Sequence, residues 1–317
     1  MTEAEFIAHL RRMPLHPGAH GLVDDSAVID TGPLVVTTDT LVEGVHFLPD
    51  DPPGDVAWKL VATNLSDLAA KGATPLGFLV SLALPKDIGA DWLKRFALGL
   101  REDAEAYQCP LFGGDTDRTP GPVMVSVSMF GSVPSGAMVR RAGAKPGHRV
   151  FVTGTIGDAA LGLVLRQNAS WNLTAAQRDH LLSRYLLPQP RNALADAVRA
   201  YASAAMDVSD GLAGDLTKLC RVSGVAARID VGTVPLSDAA RAAVAADPAM
   251  RETALTGGDD FEVLCTVPEP LVAAFRAAAA AARVPVTDIG AVEAGEGARF
   301  FDRGGELSFK RLSFSHF

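Results

Sequence analysis

A chain of 317 residues is long for one core and fits two domains of ordinary size, with 48% hydrophobic residues to fill both. A net charge of −8 and a pI near 5.4 exclude the basic surface of a non-specific nucleic-acid binder, so an anionic ligand needs a local answer such as metal ions or a placed arginine. The opening residues lack an apolar segment of signal-peptide length, and no run reaches the roughly 18 to 20 apolar residues of a membrane span. Cys109, Cys220 and Cys265 are odd in number and widely spaced, which indicates neither a zinc site nor a disulfide framework and points to a reducing cytoplasm.

In chain order, residues 2–12 read as a short helix, and a loop through Pro14, Pro17 and Gly18 leads to the acidic pair Asp24-Asp25. After a Gly-Pro turn comes Val35-Val36-Thr37-Thr38-Asp39, where carboxylates and hydroxyls close a short apolar run. Val56, Leu60, Val61, Leu65 and Leu68 carry a helical period over 55–70 that ends at Gly72, with Asn64, Ser66 and Asp67 in the last turns. A buried strand is expected at 78–84, an amphipathic helix at 89–107 and an alternating strand at 123–130, with Gly113-Gly114-Asp115-Thr116-Asp117-Arg118 between the last two. Val133-Pro134-Ser135-Gly136 reads as the boundary between domains 1–135 and 136–317.

The second half opens with a strand at 149–152 and a Thr-Gly-Thr-Ile-Gly turn, then a helix from Asp158. Helices follow near 174–186, 191–203, 210–222, 236–246 and 269–282, and strands near 204–208, 226–231, 261–267, 286–291 and 298–301. Both halves mix the two, which gives an α/β (α+β) two-domain protein. No short tandem repeat shows.

There is no Gly-x-x-x-x-Gly-Lys-Ser/Thr loop, no Gly-x-Gly-x-x-Gly after a strand, no Gly-x-Ser-x-Gly elbow and no His-Glu-x-x-His pair. What recurs is Asp at a turn beside Gly or Ser: Asp24-Asp25, Asp39, Ser66-Asp67, Gly114-Asp115, Asp207-Val208-Ser209-Asp210-Gly211 and Gly257-Gly258-Asp259-Asp260. Any one is an ordinary turn or helix cap. Six of them at strand or helix ends point to oxygen-only sites for a hard cation, Mg²⁺ above all, since unpaired carboxylates brought close together repel unless cations sit among them.

These blocks carry a specific resemblance. Asp24-Asp25, Thr38-Asp39-Thr40-Leu41-Val42-x-Gly-Val-His46-Phe47, Asn64-Leu65-Ser66-Asp67-Leu68-Ala69-Ala70, Gly113-Gly114-Asp115-Thr116, Arg141-x-Gly-Ala-Lys-Pro-Gly147, Asp207-x-Ser209-Asp210-Gly211-Leu212 and Gly257-Gly258-x-Asp260-Phe261-Glu262 resemble, in order, thiamine-monophosphate kinases. The aspartate-glycine blocks are similar throughout the wider aminoimidazole ribonucleotide synthetase-like family of ATP-binding proteins. The resemblance implies that two-domain fold, an N-terminal sheet that pairs in a homodimer, and Mg²⁺-dependent transfer of the ATP γ-phosphoryl to thiamine monophosphate. By motif position, Asp24, Thr37, Thr38, Asp39, Asp67, Asp115, Asp207 and Asp210 resemble Mg²⁺ ligands, with Asp39, Asp115, Asp207 and Asp210 at the chemistry. Gly114, Asp115, Arg141 and Ser209 resemble ATP contacts. His46, Asp259 and Phe314 resemble substrate contacts. Val23 and Asp259 stand where the family usually has Gly and Glu. A related synthetase or cyclo-ligase and a non-catalytic nucleotide-binding subunit are the alternatives; Lys59, Lys71 and Arg118 read as surface or structural.

Overall fold

Val56, Leu60, Val61, Leu65 and Leu68 are buried along helix α1 (Pro53–Ala70) in the computed structural model, which describes residues 5, 9–17, 32–167 and 169–313. Backbone contacts divide the chain into two units, Met1–Leu68 with Ala73–Gly136, and Ala69–Gly72 with Ala137–Phe317. The end of α1 therefore groups with the second unit.

In the first unit, strands β1 (Leu34–Val42), β2 (Thr74–Leu84), β3 (Leu111–Arg118) and β4 (Met124–Ser132) form one sheet in the order β1-β4-β2-β3. Alternation fixes its faces. Val35 and Leu41 of β1 are buried with Val125, Val127 and Met129 of β4, whereas Val36, Thr38 and Thr40 are exposed. Helix α2 (Ala90–Ala106) lies at backbone distance from α1, since a Cβ on Gly99 would meet the Gly54 carbonyl oxygen at 2.4 Å. The Gly113–Arg118 stretch, where the sequence suggests a turn at Gly114-Asp115, is the body of β3. Its parallel pairing with β2 supplies the hydrogen bonds that its own propensity does not favour.

Asp103 on α2 is fully buried, and neither carboxylate oxygen has a hydrogen-bond partner among the described residues. Burial, with Glu102 adding repulsion, pushes its pKa well above the ordinary 3.8. A raised acid pKa means the folded state binds more protons than the unfolded state, so this penalty is absent below pH 3.8 and grows as pH rises above it. Asp103→Ala is therefore expected to stabilise the protein at pH 7 by about 1–2 kcal/mol, and by much less near the acid end of that window. Urea denaturation at several pH values checks this; an equal effect at every pH would contradict it.

The second unit holds β5 (His148–Thr153), β6 (Ala204–Asp207), β7 (Ala226–Asp230), β8 (Val263–Pro268), β9 (Val286–Glu293), β10 (Gly297–Asp302) and β11 (Gly305–Glu306), ordered β11-β10-β7-β9-β5-β8-β6. Its helices are α3 (Asp158–Arg166), α4 (Ala175–Leu186), α5 (Ala195–Tyr201), α6 (Leu212–Ser223), α7 (Asp238–Ala246), α8 (Met250–Thr256) and α9 (Val272–Ala281). Both faces of the sheet are covered. Val150, Val152, Met206 and Leu264 pack with Leu212, Leu216 and Leu219 of α6, while the alternate residues Phe151, Ala205, Val263 and Cys265 pack with Val198 of α5 and Phe275 of α9. All three cysteines are free and buried, and burial pushes their thiols up to about 12, which makes them core residues.

β5 and β6 are both antiparallel to β8, and β5 and β7 are both antiparallel to β9. So β5, β6 and β7 end on the same side, where β8 begins. That end gathers Thr153, Asp207 and the 257–262 loop.

Candidate functional site

In the first unit, Thr37, Thr38 and Asp39 occupy consecutive positions on β1 opposite Met129, Ser128 and Val127 of β4. The pleat separates them. Thr37 and Asp39 lie on the same face as buried Val35 and Leu41, and the Thr37 hydroxyl donates to Oδ2 of Asp67 on α1. Thr38 lies on the open face, donating to the Val127 carbonyl at 2.9 Å and accepting from Ser128 Oγ at 3.3 Å.

His46 follows β1. Its Nδ1 accepts the Val42 N–H at 3.0 Å, so the neutral ring carries its proton on Nε2. Buried Lys59 donates to the His46 carbonyl at 3.2 Å, a positioning role the sequence reading did not assign. Gly114 and Asp115 lie on β3, the opposite edge of the sheet. The register row Asp39, Val127, Val80, Gly114 spans three strand spacings, roughly 14 Å, so the unit does not bring Asp115 against Asp39 directly. Gly114 is required as glycine, because a Cβ there would meet the Val80 carbonyl oxygen at 2.1 Å. Asp115 is exposed and accepts the N–H of Thr116 at 2.9 Å.

In the second unit, the end of β6 is a tight turn built from its own carboxylates. Asp207, 6% exposed, is the last residue of the strand. Buried Asp215 of α6 reaches back so that Oδ2 accepts the N–H groups of Ser209 at 3.0 Å and Asp210 at 2.9 Å. Its Oδ1 accepts from Lys218 Nζ at 2.8 Å, and Lys218 also donates to Oδ2 of Asp210. Burial lifts the Asp215 pKa despite these donors.

Against this turn lies the 257–262 loop. The Asp259 N–H donates to the Ser209 carbonyl and the Phe261 N–H to the Val208 carbonyl, both at 2.9 Å, and the Val208 N–H donates to the Glu262 carbonyl at 2.8 Å. Asp259 takes φ +72° and Phe261 φ +50°, left-handed conformations that a non-glycine residue holds only where its surroundings impose them. Asp260 is fully enclosed. Its carboxylate accepts the Gly157 N–H at 2.8–2.9 Å, and burial pushes its pKa well up. Glu262, equally buried, accepts from Thr153 at 2.6 Å, Arg184 at 2.9 Å and both Nε and a terminal nitrogen of Arg191.

Arg141 is exposed in a pinned loop. The Arg140 carbonyl accepts the Ala205 N–H at 2.9 Å, and the N–H groups of Gly143 and Ala144 donate to Ser223 Oγ at 3.2 and 3.3 Å. The loop therefore runs beside the start of β6, from Ala205 back to Ser203. Asp207, Ser209, Asp210 and Asp259 are gathered at the other end of that strand, with Arg141 on the neighbouring loop. Asp24 and Phe314 lie outside the described residues.

The donors near both clusters are carboxylate and hydroxyl oxygens, the set Mg²⁺ takes, with water and substrate phosphate completing an octahedron around one or two protein carboxylates. Among the described residues no three His, Cys, Asp or Glu side chains form a cage for a cation.

The chain matches the AIR synthase related protein family, in its N-terminal domain over residues 23–133 and its C-terminal domain over 145–303. A thiamine-monophosphate kinase of Caulobacter vibrioides is 42% identical over 324 residues, covering 99% of this chain and 91% of the relative. The chain belongs to the thiamine-monophosphate kinase family. A thiamine-monophosphate kinase of Stenotrophomonas maltophilia K279a superposes with a TM-score of 0.83 at 37% identity over 96% of each chain. The complex of AaThiL with AMPPCP and TMP superposes at 0.78 with 33% identity over 95% and 97%. The two-domain aminoimidazole ribonucleotide synthetase-like fold expected from the motifs is the fold of these thiamine-monophosphate kinases.

Lys218, Arg184 and Arg191 were not singled out from the sequence, and Lys59, expected to be surface or structural, is buried. The spacing of Asp215 and Lys218, three apart on a predicted helix, was the one available signal.

Proposed function

We infer that this protein catalyses transfer of the γ-phosphoryl group of ATP to the phosphate of thiamine monophosphate, giving thiamine diphosphate and ADP. The observation that carries this is the near full-length match to thiamine-monophosphate kinases, one of them in complex with AMPPCP and TMP. A phosphate monoester has a second pKa near 6, so roughly nine in ten acceptors already carry the attacking oxyanion at pH 7. No general base is needed. What opposes reaction is repulsion between two polyanions, and positioning with charge neutralisation is the remedy.

Bound Mg²⁺ supplies that neutralising charge. Several such ions are proposed, and Asp24, Thr37, Thr38, Asp39, Asp67, Asp115, Asp207 and Asp210 are the residues that would hold them between them; the Thr38 side chain faces away from Thr37 and Asp39. Arg141, exposed and without a hydrogen bond or ion pair among the described residues, offers a forked donor to a nucleotide phosphate. Gly114 and Ser209 offer backbone approach. His46 offers its Nε2–H, and Asp259 its carboxylate, to the thiamine substrate, with Phe314 as a stacking partner for its rings.

A homodimer is the proposed assembly. Its support is the uncovered sheet face of the first unit, where Val36 is 58%, Leu79 37% and Met124 41% exposed, beside exposed Leu34. Sedimentation of the full chain tests this; a monomer at micromolar concentration would refute it. The cytoplasm is the proposed location, on the grounds that no described helix is long and apolar enough to cross a membrane and the buried cysteines are free.

Phosphorus NMR of the protein with ATP, Mg²⁺ and thiamine monophosphate tests the activity. Equal amounts of thiamine diphosphate and ADP, absent when Mg²⁺ or acceptor is omitted, are expected. Release of inorganic phosphate in place of a diphosphate would move the assignment to a synthetase.

A further inference from the structure

The turn that carries Asp207 and Asp210 contains its own cation. Lys218 stands two helical turns beyond Asp210 on α6, and its ammonium joins Oδ2 of Asp210 to Oδ1 of buried Asp215. Asp215 has a structural duty, since its other oxygen takes the N–H groups of Ser209 and Asp210. Asp210 has none of that kind: its side chain is 37% exposed and its one described partner is Lys218, itself 32% exposed. One lysine thus links the framework of the turn to the carboxylate the turn presents.

We propose that Lys218 is the resident counter-ion of Asp210, an ammonium that a divalent cation must displace, so that metal binds weakly at Asp210 until nucleotide phosphates add their own oxygens. This rests on the reading of Asp210 as a metal ligand. An ammonium and Mg²⁺ cannot share one carboxylate oxygen at bonding distance without strong repulsion. With metal at Asp210, Lys218 would keep its bond to buried Asp215, and its positive charge would remain in the turn. The lysine therefore opposes free metal and favours metal that comes with an anion. It is a positioning residue for Asp210 and touches no reacting atom.

The test is Mn²⁺ binding to the full-length protein, followed by the electron paramagnetic resonance signal of free Mn²⁺, without nucleotide and with AMPPCP. A partly exposed ion pair of this kind is worth about fivefold, so Lys218→Met is expected to bind Mn²⁺ about fivefold more tightly than wild type without nucleotide. Lys218→Arg, which keeps the charge, should stay at the wild-type value, and the gap for Lys218→Met should narrow with AMPPCP. Lys218→Gln, which keeps a donor for Asp215, serves as a second neutral variant should Lys218→Met fold poorly. Asp210→Asn should weaken binding and erase the gain from Lys218→Met.

Unchanged or weaker Mn²⁺ binding in both neutral variants, with Asp210→Asn still weakening it, would overturn the role of Lys218. A gap that AMPPCP leaves undiminished would overturn the coupling to nucleotide. Unchanged binding in Asp210→Asn would instead remove Asp210 from the metal ligands, a failure of the underlying reading and visible as such.

Discussion

Asp115→Asn lowers turnover by about 10²–10³-fold at saturating substrates while the protein melts at the wild-type temperature. The two halves of this expectation have separate causes. The Asp115 side chain is exposed on an edge strand and its described bond is to the N–H of the next residue, which an asparagine oxygen also accepts. Nothing in the fold depends on its charge. On the proposed assignment the reaction does, because a carboxylate would hold Mg²⁺ far better than a neutral amide, and without that ion two polyanions repel. Asp39→Asn should behave alike in turnover. Steady-state rates with calorimetric melts make the check, and a rate within a few-fold of wild type for Asp115→Asn would show that its carboxylate holds no essential metal.

Much of what places these residues was legible from local pattern. The 3.6-residue period of Val56, Leu60, Val61, Leu65 and Leu68 specifies α1, and α1 delivers Asp67 to Thr37. The alternation of β1 already implies that Thr38 faces away from its neighbours. Less legible were features fixed by distant partners. Gly113-Gly114 has poor strand propensity and becomes β3 only because β2 offers a parallel edge. Helix α8 spans seven residues, too few for a period to declare itself. The strand order that puts Asp39 and Asp115 on opposite edges is tertiary information, as is the Lys218 contact with Asp210. The role of Glu262 was equally hidden: it closes a recognisable block, but nothing local shows that Arg184 and Arg191 converge on it from 78 and 71 residues away.

Glu262→Gln is accordingly expected to be among the most destabilising single substitutions in the second unit. Its side chain is unexposed, and it receives Arg184, 10% exposed, and Arg191, 23% exposed, together with the Thr153 hydroxyl. Glutamine keeps the shape and one acceptor but removes the charge, leaving two guanidinium groups to share a neutral oxygen and placing an amide NH₂ where only donors point. Removing one partner of such a buried set costs about 3–5 kcal/mol, because the remaining charges stay desolvated and uncompensated. Nearby Asp260 offers little relief, since its complete burial favours its neutral form. Urea unfolding measures the loss, and a change below about 1 kcal/mol would show that water reaches the cluster and screens it. The damage should also reach the chemistry. The Glu262 carbonyl accepts the Val208 N–H between Asp207 and Ser209, and the preceding residues hold Asp259 against Ser209. A partly stable Glu262→Gln protein, assayed well below its melting temperature, should therefore need more Mg²⁺-ATP for half-maximal rate, whereas Arg191→Lys beside the native Glu262, which keeps one donor and the charge, should show only a small part of that shift.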